Sequence, residues 1–217
     1  MSTSLTEQSA RREVTSCPPV TPTVFIVDDD ISVRESLEQL VAYTGWLVET
    51  FGSAREFLAR PRTKVASCLV LDLSLPDLNG LDLQKRVAAD RKDMPIIFIS
   101  GHADIPMSVQ AMKEGAVEFL TKPLHDDVLL SAIRDAIDRS RTALEREAEM
   151  QALRDSYASL SRREREVMAR VAAGRLNKHV ATELGISEIT VKAHRGRVMR
   201  KMHADSVADL VRMAARL

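Results

Sequence analysis

The first two-thirds of the chain alternates five short apolar runs with segments in which apolar residues recur every three or four positions. The runs lie at residues 23–27, 46–51, 68–73, 95–100 and 116–120. Nearly continuous apolar runs of this length are typical of strands buried on both faces, and the intervening spacing is that of helices. Strands that alternate with helices predict a parallel sheet covered on both sides. We therefore predict a five-stranded, doubly wound α/β domain over residues 22–140.

A different pattern begins after Pro123. No Gly or Pro occurs from 124 to 160, which predicts one long helix that finishes the α/β domain and continues as a helical linker over 141–157. This linker is either a two-stranded coiled coil or a solvated connecting helix. Residues 1–21 are polar, lack the apolar centre of a signal peptide and are predicted to form a disordered extension.

Residues 158–217 read as four short helices. The stretch SRRE at 161–164 is a capping box, and Asn177 is predicted to cap the next helix. Gly185 permits a sharp turn, after which Ser187 begins a strongly basic helix. A short helix, a glycine-containing turn and a basic helix together predict a helix-turn-helix domain.

The net charge of zero conceals an asymmetry between the two halves. Residues 1–150 hold 17 Lys and Arg against 24 Asp and Glu, whereas residues 151–217 hold 14 against 7. This division predicts cation chemistry in the first part and a polyanionic partner for the second. Two cysteines give no disulfide framework, and no apolar stretch approaches the ~18 residues of a membrane span, so we expect a cytoplasmic protein without membrane contact.

Polar residues follow four of the five predicted strands at their carboxyl ends. They are Asp28, Asp29, Asp72, Ser100 and Lys122. Ligands of open parallel sheets bind at this edge, and three carboxylates there repel one another unless a cation neutralises them. Hard oxygen ligands favour Mg²⁺ (or Mn²⁺). We predict that Asp72 is the nucleophile of a phosphoryl transfer, with Lys122 and Ser100 contacting the phosphoryl oxygens, and that Asp30 caps a helix.

Four stretches carry a resemblance to a known family. They read VFIVDDD, LVLDLSLPDLNGLDL, FISGHADIPMSVQAMKEGAVEFLTKPL and LSRREREVMARVAAGRLNKHVATELGISEITVKAHRGRVMRKM. The chain resembles two-component response regulators of the FixJ/NarL family over about residues 22–217. The resemblance implies a flavodoxin-like receiver domain joined by a long helix to a LuxR-type helix-turn-helix domain.

The resemblance also assigns roles to single residues of the receiver. Asp28 and Asp29 become the acidic pair, Asp72 the phosphoacceptor and Ser74 the donor of a backbone carbonyl to Mg²⁺. Ser100 and Phe119 become the switch residues, with Ser in place of the more frequent Thr. Lys122 becomes the phosphate-contacting lysine, in a cis peptide with Pro123.

The basic helix is expected to bind duplex DNA. The resemblance places Lys192, Ala193 and Gly196 against base edges. Phosphate contacts are expected from Lys178, Thr190, Arg195 and Arg197. The apolar residues Ile189, Val191, Val198 and Met202 are predicted to point inward, with Arg200 and Lys201 on or beside the outward face. His194 is either a phosphate contact or a packed residue.

The favoured hypothesis is a transcription factor that accepts a phosphoryl group on Asp72 from a sensor histidine kinase. Phosphorylation would promote homodimerisation through the fourth helix and fifth strand, binding to double-stranded promoter DNA and contact with RNA polymerase. Such a protein has no enzyme activity beyond its own Mg²⁺-dependent phosphorylation. One alternative is an aspartyl-phosphate hydrolase of the haloacid dehalogenase type, but that chemistry needs a second Asp where this chain has Ser74. Another is a regulator that binds DNA without phosphorylation.

Overall fold

The computed structural model describes residues 21–101 and 105–217. The predicted N-terminal extension, apart from Thr21, therefore lies outside the described residues. The chain divides between Leu144 and Glu145 into two compact units.

The first unit is built on a five-stranded parallel sheet, as predicted. Its strands are β1 (Thr23–Val27), β2 (Leu47–Phe51), β3 (Ser67–Asp72), β4 (Ile96–Ser100) and β5 (Glu118–Thr121). They lie in the order β2-β1-β3-β4-β5, and every neighbouring pair is parallel. This is the flavodoxin-like order, in which the chain reverses direction between β1 and β3.

Helices cover both faces of the sheet. They are α1 (Ile31–Ala42), α2 (Ala54–Ala59), α3 (Gly80–Asp90), α4 (Ile105–Lys113) and α5 (Asp126–Ala158). One apolar cluster joins a face of the sheet to α2, α3 and α4, and a second joins the opposite face to α1 and the first part of α5. Burial of each strand on both sides explains why the strands read as continuous apolar runs.

Asp30 is the N-cap of α1, as predicted, because its side chain accepts a hydrogen bond from the Ser32 amide. Ser53 likewise caps α2.

Helix α5 runs without interruption for 33 residues, as the lack of Gly and Pro predicts. Its last part is not wholly solvated. Leu153 is buried in the core of the second unit, with Met150 and Tyr157 packed against the same core. Neither α5 nor another helix among residues 21–101 and 105–217 combines the length and the apolar character that a bilayer span requires.

The second unit contains α6 (Arg162–Ala172), α7 (Asn177–Leu184), α8 (Glu188–Lys201) and α9 (Val207–Arg216). The capping box at Ser161 and Glu164 is present. Gly185 adopts φ 64° at the end of α7, a left-handed conformation that favours glycine. Ser187 then caps α8, so three residues separate the two helices of a helix-turn-helix unit.

The predicted cap at Asn177 is wrong. Asn177 is already the first helical residue of α7, and Leu176 occupies the N-cap position without a side-chain hydrogen bond. The Asn177 side chain instead accepts a hydrogen bond from Nη1 of Arg195, 3.3 Å away, and so joins α7 to α8.

Candidate phosphoacceptor and nucleic-acid sites

The carboxyl edge of the sheet brings the predicted acidic residues together. Asp28 follows β1 and Asp72 ends β3, and these two strands are direct neighbours. Lys122 follows β5 and donates from Nζ to Oδ2 of Asp28 and to Oδ2 of Asp72, at 2.7 Å each. One ammonium group therefore bridges two carboxylates whose side chains are almost fully buried.

The remaining carboxylate oxygens also have donors. Oδ1 of Asp28 accepts from the Asp30 amide at 2.9 Å, and Oδ1 of Asp72 accepts from the Ser74 amide at 2.9 Å. These two backbone bonds fix both side chains in orientation. They also place Ser74 beside the phosphoacceptor candidate, where the resemblance expects its carbonyl to act.

Burial raises the pKa of Asp28 above its ordinary value, against the hydrogen bonds from Lys122 and the Asp30 amide and with a small contribution from Asp72. Burial alone would lower the pKa of Lys122, but its hydrogen bonds to Asp28 and Asp72 outweigh that effect and raise it. The protonated ammonium group of Lys122 therefore offsets the unfavourable free energy of placing two carboxylates together at this edge.

The donor set fits a small divalent cation. Asp28, Asp29 and Asp72 each offer a carboxylate oxygen, and these oxygens lie within 4.8 Å of one another. Oxygens on opposite sides of Mg²⁺ are about 4.2 Å apart, twice a bond length of about 2.1 Å. Asp29 is exposed, so this side of the site is open to solvent.

The two switch candidates lie on adjacent strands. Ser100 ends β4, is buried, and its carbonyl accepts from the Lys122 amide at 2.8 Å. Phe119 in β5 is half-buried and stacks on Phe98 with ring centroids 6.2 Å apart. The Lys122–Pro123 peptide is cis, as the resemblance implies.

Two residues that support this site are missing from the sequence-based prediction. Arg34 of α1 donates from Nη1 to the carbonyls of Asp28 and Asp29, at 2.6 and 3.0 Å, and holds the backbone that carries the acidic pair. Gly80 begins α3, where an added Cβ would lie 2.8 Å from the Asp72 carbonyl oxygen. The role of Arg34 is hidden although it lies only five and six residues from its partners, because a backbone acceptor leaves no pattern in the residue types.

A groove of about 570 Å³ lies between α1 and the start of α5. Val33, Leu37 and Leu40 of α1 and Leu124 give it an apolar lining, and Lys122 and Pro123 lie at one side. The groove therefore adjoins the lysine that bridges the two buried carboxylates.

Helix α4 presents an apolar surface away from the sheet. Ile105, Val109 and Met112 are exposed and recur every three or four residues, whereas Ala111 is the fully buried residue of this helix. The apolar spacing that predicts this helix thus marks its outer surface as well as its inner one.

The predicted DNA contacts of the second unit are accessible. Lys178, Lys192, Ala193, Gly196 and Arg197 are exposed, and Thr190 and Arg195 are half-buried. His194 is half-buried with its Nδ1 enclosed, which favours the packed alternative for this residue.

One prediction about the faces of α8 is wrong. Val191, Val198 and Met202 are buried as predicted, but Ile189 is 80% exposed, because it lies on the opposite side of α8 from Val191. Lys201 is exposed as predicted, and its Nζ also donates to Oε2 of Glu164 at 2.7 Å and to the Ser159 carbonyl at 3.0 Å. Lys201 therefore ties the end of α8 to the start of α6.

Comparison with known proteins agrees with both halves of this description. Residues 24–134 match the response regulator receiver domain, and residues 158–214 match the bacterial regulatory proteins of the luxR family. The chain is 52% identical over 194 residues to Nodulation protein W of Bradyrhizobium diazoefficiens, a match that covers 89% of this chain and 86% of the relative. It is 47% identical to the response regulator protein TmoT of Ectopseudomonas mendocina over 89% of this chain and 88% of that one.

Among solved structures, the response regulator StyR superposes with a TM-score of 0.83 at 42% identity, covering 91% of this chain and all of StyR. Full-length FixJ from B. japonicum gives a TM-score of 0.52 at 40% identity, covering 89% of this chain and 96% of that one. The family assignment leaves no support for the hydrolase alternative. The chain belongs to the two-component response regulators that join a receiver domain to a LuxR-type helix-turn-helix DNA-binding domain and regulate transcription.

Proposed function

We propose that phosphorylation of Asp72 by a sensor histidine kinase controls dimerisation and promoter binding by this response regulator. The observation that carries the proposal is the bridge from Lys122 Nζ to the buried carboxylates of Asp28 and Asp72, at 2.7 Å each. A cation shared between two carboxylates at the carboxyl edge of a parallel sheet is suited to receive a phosphoryl group.

Asp72 acts as the nucleophile. One of its carboxylate oxygens forms a bond to phosphorus as the bond from phosphorus to the donor atom breaks, which leaves an aspartyl phosphate and a dephosphorylated donor. Asp28, Asp29, Asp72 and the Ser74 carbonyl would hold Mg²⁺, which neutralises charge on the phosphoryl oxygens. Lys122 loses one carboxylate partner in this step and turns its ammonium to a phosphoryl oxygen.

Ser100 and Phe119 pass the modification to the surface. A phosphoryl group brings about −1.5 to −2 charge and three acceptor oxygens, which draw the Ser100 hydroxyl towards Asp72. The Phe119 ring, half-buried on β5, then moves into the space beside Ser100. Phe119 lies in β5, the strand that follows α4, and Ser100 lies on the neighbouring strand β4, so the change alters the exposed α4 and β5 surface.

The exposed stripe of Ile105, Val109 and Met112 supports α4 and β5 as the homodimer surface. An exposed apolar stripe is costly in a monomer and is covered when two copies meet. Dimerisation would bring two copies of α8 to one duplex, and promoter-bound dimers would engage RNA polymerase.

The groove between α1 and the start of α5 is the proposed docking place for the kinase. Its apolar lining accepts the apolar face of a helix, and its position beside Lys122 presents a phosphohistidine to Asp72.

Intact-mass spectrometry tests the phosphoacceptor directly. After incubation with acetyl phosphate and Mg²⁺, the wild-type protein is expected to gain the mass of one phosphoryl group, and Asp72→Asn to gain none. Asp82→Asn is the matched control, because Asp82 is an exposed aspartate of the neighbouring helix α3 and should leave the modification unchanged. Equal modification of wild type and Asp72→Asn would refute the assignment. An unmodified wild type that still binds a duplex would instead favour the regulator that works without phosphorylation.

A further inference from the structure

The outward face of α8 begins with an isoleucine. Ile189, Lys192, Ala193 and Gly196 follow one another at helical spacing, so their side chains share one stripe of the helix. The opposite stripe is buried and contains Val191 and Val198. Ile189 is 80% exposed, in the first turn of the helix.

Packing within the chain explains neither Ile189 at the start of this stripe nor Gly196 at its end. The Ile189 side chain lies outside the core that Val191, Val198 and Met202 enter. At Gly196, an added Cβ would meet nothing within 4 Å, and the backbone there is ordinary helix. An interior helical glycine lowers helix stability, so its presence at a position with free space points to a close approach from outside the chain.

The charges around the stripe identify the class of partner. Lys192 belongs to the stripe itself, and exposed Lys178 and Arg197 belong to the same helix-turn-helix unit. An exposed isoleucine among cations suits a surface that offers phosphates at its edges and apolar groups between them, and the major groove of DNA does so. A protein partner for an apolar patch would not require this number of lysines and arginines.

We propose that Ile189 determines sequence specificity by packing against the C5-methyl group of a thymine in the major groove. This inference rests on the proposed binding of DNA by α8. The N-terminal residues of a recognition helix contact base edges, and the thymine methyl is the apolar group available there. Because Ala193 has only a methyl group and Gly196 has no side chain, the helix can approach the groove floor closely enough for the contact. The preferred duplexes then carry thymine opposite the first turn of α8 in each half-site.

The experiment begins with full-length protein treated with acetyl phosphate and Mg²⁺, which selects binding sites from a randomised duplex library. The enriched duplex is then compared with copies in which single thymines are replaced by deoxyuridine, a change that removes only the methyl group. Burial of one methyl-sized group corresponds to roughly fourfold in affinity, which is the loss expected at one thymine per half-site.

Ile189→Ala should bind the thymine and deoxyuridine duplexes equally, whereas Ile189→Val should keep part of the difference. Leu176→Ala is the matched control, because Leu176 is also apolar and 68% exposed, but occupies the N-cap position before α7 and is not part of α8. This control should keep the full thymine preference. Circular-dichroism melting verifies that all three variants are folded.

The comparison of thymine and deoxyuridine duplexes tests the inference with the wild-type protein alone. If no deoxyuridine substitution weakens wild-type binding, or if Ile189→Ala keeps the same preference as wild type, the inference is overturned while DNA binding stands. If the library yields no enriched duplex with or without the phosphodonor, the proposed function fails and the inference falls with it.

Discussion

At the acidic edge of the sheet the functional groups are buried and satisfied by one another, whereas along α8 they stand exposed and face away from their own fold. Asp28 and Asp72 each have both carboxylate oxygens occupied by donors from the same unit. Among the described residues of the second unit, Lys192 and Gly196 make no comparable side-chain hydrogen bond. The groups of the receiver site are therefore held in place by their own domain, whereas the DNA-binding face can change without disturbing the domain that carries it.

Two glycines show this difference most clearly. Gly80 starts α3 where an added Cβ would lie 2.8 Å from the Asp72 carbonyl oxygen and 3.0 Å from the Leu73 Cα, and backbone atoms cannot move aside cheaply. Gly196 has open space in the same test. The first glycine is required by its own fold and the second is not, so substitutions at the two should have opposite effects on stability.

The largest effect is expected from Gly80→Ala. The clash with the Asp72 backbone should lower the free energy of unfolding by about 3 kcal/mol, the upper range for overpacking. It should also slow phosphorylation, because the strand end that carries Asp72 must shift. Urea unfolding and acetyl phosphate labelling measure the two effects. Gly101→Ala is the control, since an added Cβ there meets none of the described residues within 4 Å; equal stability of the two variants would contradict the close approach.

Lys201→Met should lower the stability of the second unit by about 2 kcal/mol, because it leaves the Glu164 carboxylate buried without its charged partner. The hydrogen bonds from Lys201 and the Ser161 amide lower the pKa of Glu164 from its ordinary value of 4.5 to about 2. A lowered pKa in the folded state gives stability that is present above pH 4.5 and lost as the pH falls towards 2. Thermal melts between these pH values should show a shallower acid-side loss in Lys201→Met than in wild type. Parallel curves for the two proteins would show that the pair is not the source of the pH dependence.

Gly196→Ala should raise the free energy of unfolding by about 0.5–1 kcal/mol, because alanine favours the helix and meets no neighbour. The same variant should bind its duplex more weakly, since the added methyl group holds α8 away from the groove. A higher melting temperature together with a weaker affinity for the duplex would confirm that Gly196 is needed for binding and not for the fold. A variant that is both more stable and equally tight in binding would remove the argument for close approach.

The smallest effect is expected from Asn177→Ala. Asn177 lies inside α7 and makes one long hydrogen bond to Arg195, so its loss should change stability by less than about 0.5 kcal/mol. Ser187→Ala removes a side chain that caps α8 through the Thr190 amide and should cost about 1 kcal/mol. Equal losses of unfolding free energy in Asn177→Ala and Ser187→Ala, measured by chemical unfolding, would show that Asn177 caps α7 as predicted.

The sequence predicts the receiver well, because burial on both faces leaves a strong pattern. All five strands appear within two residues of their predicted ends, and Asp28, Asp72 and Lys122 meet at one edge because parallel strands bring their carboxyl ends together. The contact of Arg34 with two carbonyls could not be predicted in this way, since every residue offers a carbonyl.

The second unit is harder to predict because its helices are short and only half-buried. The apolar side chain of Ile189 favours the inward face, but Ile189 lies two residues before Val191 and therefore on the opposite, exposed side of α8. Lys201 is exposed as predicted, but its long side chain also reaches a buried carboxylate across 37 residues of sequence. That contact depends on tertiary packing, which a single helix pattern does not contain.

The central claim is that phosphorylation of Asp72 controls DNA binding. Its most direct test is the affinity for an enriched duplex, measured by fluorescence anisotropy on full-length protein with and without acetyl phosphate and Mg²⁺. The account predicts that the phosphodonor tightens binding of the wild-type protein and converts it to a dimer in analytical ultracentrifugation. Asp72→Asn should stay in the weak, untreated state under both conditions. Equal affinity of treated wild type and treated Asp72→Asn, with both proteins folded, would contradict the control of DNA binding by Asp72.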